Sequence, residues 1–138
     1  DKRRVLFHNP RFSKLLLDLY LAQRDKGRLL LHAYVVMPDH YHILLSLKNE
    51  TSISNLVRTV HSQFALKCRE MMPIEGRIWQ RRFYDHVIRD REDWEGRFGY
   101  VHNNPVEAGL VESVLDYPWS SCRFWELGAG PIECDGWE

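Results

Sequence analysis

Two histidines separated by a single residue have the spacing best suited to chemistry. His40 and His42 follow the turn-forming dipeptide Pro38-Asp39 and lead directly into an apolar run. In a β-strand, alternate side chains point to the same face, so the two imidazoles would stand side by side, about 7 Å apart. Neutral imidazole is the commonest metal ligand in proteins, and such a pair could hold one divalent ion from one side.

The pair alone does not make a metal site, because catalytic sites usually have three protein ligands. An alternative is that both residues are half-exposed strand histidines with ordinary hydrogen bonds. Candidates for further groups occur in the segment after Asp90, where Tyr100 and Asn104 lie one helical turn apart, on a flank that the apolar stripe avoids. Asn104 offers a carbonyl oxygen acceptable to Mg²⁺ or Mn²⁺, and Tyr100 offers a hydroxyl that could attack an electrophile polarised by the same ion.

The order of elements shows how these groups could meet. The sequence predicts a helix from Pro10 to Gly27, strands at 28–37 and 40–48, a helix from Thr51 or Ser52 to Pro73, a strand near 83–88, and a helix from Asp90 that ends at Asn104 because Pro105 follows. This order is typical of an α+β fold in which an antiparallel sheet carries two helices on one face. His40 and His42 would point to the other face, where the last helix could bring Tyr100 and Asn104.

The composition fits a single globular domain. The chain has 138 residues, of which 44% are hydrophobic and 28% charged, and no apolar run approaches the roughly 20 residues of a membrane span. Its three cysteines are odd in number and match no metal-ligand spacing, and no signal peptide is apparent. These features favour a reducing compartment, so the expected location is cytoplasmic. His61 lies off the apolar stripe of its helix and is predicted to be a surface residue.

The net charge is zero, but the charges are unevenly distributed. Residues 1–28 carry eight Lys or Arg against three acids, whereas residues 107–138 carry one Arg against seven acids. A second basic cluster is interleaved with aromatic residues; its members are Arg77, Arg81, Arg82, Arg89 and Arg91. Basic and aromatic side chains together suit a phosphate backbone with unstacked bases, although a solvated face over core aromatics would have the same composition.

Four sequence blocks carry a resemblance to a known family. They read V-V-M-P-D-H-Y-H at 35–42, I-W-Q-R-R-F-Y-D-H at 78–86, Y-V-H-N-N-P-V-E-A-G-L-V at 100–111 and D-Y-P-W-S-S at 116–121. The chain resembles the REP-associated tyrosine transposases, a branch of the single-tyrosine HUH transposases and nucleases. Each block alone would be weak, but four in the right order are specific.

The resemblance implies roles for the residues at the matching positions. By this resemblance, His40 and His42 would be the histidine pair of the HUH motif. Asn104 would be the third ligand of a Mg²⁺ or Mn²⁺ ion, and Tyr100 would be the nucleophile. The implied reaction is cleavage and rejoining of single-stranded DNA through a 5′-phosphotyrosine intermediate.

The resemblance also implies a partner. The family's substrates are hairpins formed by repetitive extragenic palindromes (REP), whose stem could be held by Arg81, Arg82 and Arg89 while flanking bases are read unpaired. The protein would act as a monomer or a homodimer. Two other interpretations stay open: a DNA-binding module whose chemistry has decayed, and a metal-dependent phosphoesterase that uses an activated water.

The family's fold differs from the chain in one respect. It is a ferredoxin-like sheet, with two helices on one face and the tyrosine-bearing helix at the other, and it opens with a strand that inserts into the middle of the sheet. No such strand precedes the first predicted helix. We therefore expect residues 1–138 to form one domain without that strand, unless the short segment 4–7 takes its place.

Overall fold

The order of helices and strands agrees with the sequence-based expectation. The computed structural model describes residues 6–79, 84–87 and 91–136, and within 84–87 and at residue 91 it describes the backbone only. Its main elements are α1 Pro10–Asp25, β1 Leu29–Val36, β2 Tyr41–Leu47, α2 Ile53–Met71, β3 Tyr84–Val87, α3 Arg91–Glu107 and α4 Cys122–Leu127. Among the described residues, no helix is both long and apolar enough to cross a membrane.

The first two long helices begin where their capping residues predict. The Asn9 side chain accepts a hydrogen bond from the Arg11 N–H at 3.0 Å, and Pro10 occupies the first helical position of α1. The Ser52 hydroxyl accepts from the Asn55 N–H at 3.3 Å and caps α2 in the same way. These local contacts explain why the predicted and observed starts agree.

The sheet has the order β1-β2-β3, and one of its two pairings differs from the prediction. Strands β1 and β2 form an antiparallel hairpin, closed by a hydrogen bond from the Met37 N–H to the His40 carbonyl at 2.8 Å. Strand β3 pairs with β2 in parallel, so the expectation of an entirely antiparallel sheet is wrong here. The reason is topological. Helix α2 crosses over the sheet, so β3 runs in the same direction as β2. Two strands that run in the same direction can have antiparallel neighbours only if another strand lies between them.

The two faces of β2 belong to different parts of the core, as the strand alternation predicts. Tyr41, Ile43 and Leu45 belong to the larger cluster, which packs under α1 and α2. Leu44 belongs to a second cluster, with buried partners Ala33, Val35, Met37 and Val101, which packs under α3. The sheet is therefore sandwiched between α1 and α2 on one face and α3 on the other.

The C-terminal segment covers the outer edge of β1. The Val36 N–H donates to the Trp119 carbonyl at 2.8 Å, the Ser121 N–H donates to the Tyr34 carbonyl at 3.0 Å, and the chain returns to Leu31 through Asp135. An exposed strand edge is a template for unwanted pairing, and this segment removes that template. The tail thus packs on the domain.

Pro105 does not end α3, which is a correction to the predicted boundary. The helix continues to Glu107 with the proline inside it. The proline removes one hydrogen-bond donor, but the Asn104 and Pro105 carbonyls still accept from the N–H groups of Ala108 and Leu110, at 3.0 and 2.9 Å. Pro105 is also buried, so tertiary packing offsets the local disadvantage.

His61 is not a surface residue, contrary to the prediction. It is half-buried on α2; its Nε2 lies 2.8 Å from the Tyr41 hydroxyl, and its ring stacks on Trp79 at 3.7 Å between centroids. Burial lowers the pKa of His61 to about 4. Its partners come from a distant strand and from the loop after α2, so the helical pattern of α2 alone could not reveal them.

Candidate active site

The two histidines stand together at the start of β2, on the face covered by α3. His40 is the last residue of the turn and His42 the second residue of the strand. Their ring centroids are 5.1 Å apart with the planes at 90°. The His40 side chain is about one quarter exposed, whereas His42 is 9% exposed. The strand alternation has therefore brought both imidazoles to one face, as the sequence predicts.

A carboxylate holds one of these rings. The Nδ1 atom of His40 lies 2.7 Å from Oδ1 of Asp39. A carboxylate only accepts hydrogen bonds, so Nδ1 is the donor, and in the neutral ring the lone pair is then on Nε2. Carboxylate partners of this kind fix the orientation of metal-binding histidines. Asp39 was predicted only as a turn residue, although its position next to His40 was a signal.

The pKa of the second histidine is low. Burial and, to a lesser extent, the nearby His40 together lower the pKa of His42 to about 4. His42 is therefore a neutral imidazole at physiological pH. Only the neutral form has a lone pair for a metal ion.

Tyr100 lies directly opposite the histidine pair. Its ring meets the ring of His42 edge to face, with centroids 5.5 Å apart and planes at 83°. The residue is 55% exposed, in contrast to its neighbour Val101, which is buried against the sheet. Tyr100 thus contacts the site on one side while it stays accessible to a substrate.

Asn104 lies one turn further along α3 and shares a surface cavity with Tyr100. The cavity has a volume of about 320 Å³ and is lined by Gly99, Tyr100, Asn103, Asn104 and Glu107. Asn104 is half-buried. Glu107 is a further carboxylate that was not among the predicted site residues, although its spacing of three residues from Asn104 places it on the same flank.

The donor set is suited to a hard or borderline divalent ion. Two imidazoles and an amide oxygen provide mixed nitrogen and oxygen ligands, which Mn²⁺ and Mg²⁺ accept. In the described part of the chain, no group of three or more His, Cys, Asp or Glu side chains could hold a metal ion. Among the described residues, a third ligand at the histidine pair would therefore be of another type, and Asn104 is such a group.

The basic cluster lies largely outside the described residues. Arg81, Arg82 and Arg89 lie outside the described residues. Arg77, which precedes them, is exposed at the end of the loop after α2.

Comparison with known proteins identifies the family. The family model described as "Transposase IS200 like" matches residues 1–104, a span that includes both histidines, Tyr100 and Asn104. A REP-associated tyrosine transposase of Escherichia coli K12 is 34% identical over 108 residues, which is 77% of this chain and 62% of that protein. A Haemophilus influenzae protein provisionally given the same name is 36% identical over 99 residues, which is 64% of this chain and 56% of that protein.

A solved structure shares the fold over almost the whole chain. It is a REP-associated tyrosine transposase bound to a REP hairpin, with a TM-score of 0.72 and 30% identity, and the match covers 99% of this chain and 79% of that one. The chain spans about three fifths of the length of the two curated relatives. From the family model, the relatives and the fold together, this chain belongs to the IS200-like transposase family, within which it is similar to the REP-associated tyrosine transposases.

Proposed function

We propose that the protein is a metal-dependent single-strand DNA endonuclease and transposase that cuts and rejoins DNA through a 5′-phosphotyrosine intermediate. The observation that carries this proposal is the contact between Tyr100 and His42, across the interface of α3 and the sheet. It brings an exposed hydroxyl-bearing ring to a pair of imidazoles. An accessible nucleophile beside potential metal ligands is the minimum that covalent catalysis on a phosphodiester needs.

His40, His42 and Asn104 are the residues that would hold the divalent ion. When bound, Mg²⁺ or Mn²⁺ supplies positive charge at the scissile phosphate and polarises it for attack. The chain's own contribution is to keep these ligands ready. The Asp39 carboxylate holds the His40 ring, and burial keeps His42 neutral.

The role of Tyr100 is nucleophilic. Its Oη loses a proton as it bonds to phosphorus, and the bond from phosphorus to the 3′ oxygen breaks. The 3′ oxygen takes up a proton as it leaves, so the products are a free 3′-OH and a 5′ end joined to Tyr100. A 3′-OH can attack the phosphotyrosine in turn and release Tyr100, so one site can both cut and join.

The substrate we infer is DNA that presents a single strand next to a hairpin. The solved relative is bound to a REP hairpin, and this chain matches it along almost its full length. Arg81, Arg82 and Arg89 are the candidates for phosphate contacts to the stem, on the basis of their sequence context. A net charge of zero does not oppose this role, because phosphate contacts depend on local charge.

The test is incubation of the protein with end-labelled single-stranded DNA carrying a REP-like hairpin and Mn²⁺. The proposal predicts a fragment with a free 3′-OH and a second fragment that migrates with the protein under denaturing conditions. Binding without cleavage would instead support a DNA-binding module that has lost its chemistry. Cleavage with no covalent species would support a water-using metal phosphoesterase.

A further inference from the structure

Two sequence blocks contain buried residues that the proposed chemistry does not use. His102 lies in α3 midway between Tyr100 and Asn104, and it is buried with 6% exposure. Ser121 lies in the C-terminal segment along β1 and is 1% exposed. Neither side chain lines the cavity beside Tyr100. Their burial in the interface between α3, β1 and the C-terminal segment indicates a different role.

The two side chains are joined by a short hydrogen bond. His102 Nε2 lies 2.7 Å from the Ser121 hydroxyl, which also accepts from the Tyr34 N–H at 2.9 Å. The Ser121 N–H in turn donates to the Tyr34 carbonyl at 3.0 Å. Ser121 is therefore fixed to β1 by its backbone and its side chain, and it presents its oxygen to one turn of α3.

This connection leads directly to the histidine pair. Tyr34 in β1 pairs with Ile43 in β2, and the next residue, Val35, pairs with His42. His102 is thus linked through Ser121 and two neighbouring strands to the residue whose ring meets Tyr100. A short series of hydrogen bonds therefore connects the turn of α3 that bears Tyr100 and Asn104 to the strand that bears the histidines.

Apolar packing alone leaves the placement of α3 less well defined. Val101 is buried, but Trp94 and Phe98, which also pack on the second cluster, are only half-buried. Apolar contact is non-directional and permits small rotations and shifts of a helix on a sheet. A buried hydrogen bond has a preferred distance and angle, so it selects one of these arrangements.

We propose that His102 and Ser121 are positioning residues, whose hydrogen bond sets the rotation and depth of α3 and thereby holds Tyr100 and Asn104 at the histidine pair. The catalytic consequence rests on the proposed function, whereas the geometric consequence does not.

The sequence offers a matched control. His32 Nε2 lies 2.7 Å from the Ser46 hydroxyl, which is a bond between the same two atom types at the same distance as that of His102 and Ser121. It joins β1 to β2 and does not involve α3. Ser46→Ala therefore removes an equivalent hydrogen bond, with an expected loss of stability but no expected change in the placement of α3.

The geometric arm uses fluorotyrosine incorporated at position 100 and observed by ¹⁹F NMR without metal or DNA. Because the ring of His42 lies against Tyr100, its ring current makes the signal sensitive to small shifts of α3. We expect Ser121→Ala and His102→Leu to move or broaden the signal. The signal of His102→Gln, which keeps a polar side chain at this position, should stay closer to the parent signal. The signal of Ser46→Ala should coincide with the parent signal. If Ser121→Ala and His102→Leu both leave the signal unchanged, or if Ser46→Ala changes it equally, the proposal is wrong.

The catalytic arm measures the single-turnover rate of adduct formation on the hairpin substrate, together with hairpin affinity. Misplacement of a reacting group by about 1 Å costs up to about a hundredfold in rate, so we expect Ser121→Ala to be about ten- to a hundredfold slower at unchanged affinity. Ser46→Ala should keep the parent rate, and His102→Gln should exceed His102→Leu. Equal rates in parent and Ser121→Ala would overturn the proposal. If the parent forms no adduct, the proposed function fails, and the ¹⁹F comparison still decides the positioning role.

Discussion

The ring of His42 meets the ring of Tyr100 edge to face, with 5.5 Å between centroids, across the interface between the sheet and α3. The two residues are 58 positions apart in the sequence. One is almost buried and neutral, and the other is more than half exposed. This contact joins a potential metal ligand to a potential nucleophile.

The histidine pair should be required for metal binding. Loss of groups that only support a ligand commonly weakens metal affinity about ten- to a hundredfold, so removal of a ligand itself should cost at least about a hundredfold. We expect this loss for Mn²⁺ with both His40→Ala and His42→Ala, as measured by titration calorimetry. His8→Ala, at an exposed position, is the control. Parent-like affinity in both site variants would show that the pair is structural.

Asp39 should strengthen Mn²⁺ binding through its contact with His40. Asp39→Ala removes the acceptor of the Nδ1 proton and lets the ring rotate, so we expect about ten- to a hundredfold weaker Mn²⁺ binding. Asp39→Asn keeps an oxygen acceptor without the charge and should be intermediate. Calorimetry and thermal unfolding of the two variants separate this effect from a loss of fold. Equal Mn²⁺ affinity in parent and Asp39→Ala would contradict it.

Two tyrosine variants should separate stability from chemistry. The Tyr41 hydroxyl is buried and lies 2.6 Å from that of Tyr20 and 2.8 Å from Nε2 of His61. Tyr41→Phe leaves both partners without this hydroxyl and should lower the free energy of unfolding by about 1–3 kcal/mol, with Mn²⁺ binding retained. Tyr100→Phe removes an exposed hydroxyl and should change stability by less than about 0.5 kcal/mol. Denaturant unfolding of both variants checks the contrast, which would fail if Tyr100→Phe were the less stable protein.

Stability should fall in acid because of two buried histidines and one half-buried histidine. Burial lowers the pKa values of His42, His61 and His102 to about 4, below the unfolded value of about 6.5. Their stabilising contribution is therefore complete above pH 6.5 and is lost as the pH falls toward 4, by up to about 1.4 kcal/mol per pH unit for each group. Urea unfolding across this range measures the slope. His61→Gln should flatten it, whereas the exposed control His8→Gln should not.

DNA affinity should depend steeply on salt despite the net charge of zero. Each phosphate contact releases counterions, so the slope of log affinity against log salt counts such contacts. Combined loss of Arg81 and Arg82 should reduce that slope by about 2, as measured by fluorescence anisotropy with a labelled hairpin. An unchanged slope would indicate that other residues make the DNA contacts, and the basic residues among 1–28 would be the first candidates.

The sequence was sufficient to predict the structure where the pattern is local and repetitive. The alternation of β2 placed His40, His42 and Leu44 on one face, because one face of the strand packs under α1 and α2 and a shift by one residue would exchange the faces. Tyr100 and Asn104 were found because they lie off the apolar stripe of α3. The capping residues of α1 and α2 likewise gave the observed helix starts.

The remaining features depend on contacts between distant parts of the chain. Pro105 continues α3 because its ring is buried, which no local rule shows. His61 is covered by Trp79 from beyond the end of its helix. Ser121 and His102 each belonged to a recognisable block, but nothing in either block revealed that they are hydrogen-bonded to each other.

The most direct measurement is to identify the amino acid that carries the DNA. The parent protein is incubated with the single-stranded hairpin substrate and Mn²⁺, then digested with protease and nuclease, and the peptides are analysed by mass spectrometry. We predict that the peptide containing Tyr100 gains the mass of a 5′-linked nucleotide, and that Tyr100→Phe binds the hairpin with parent affinity but yields no such adduct. An adduct on another residue, or an adduct of undiminished yield in Tyr100→Phe, would contradict the assignment of Tyr100 as the nucleophile.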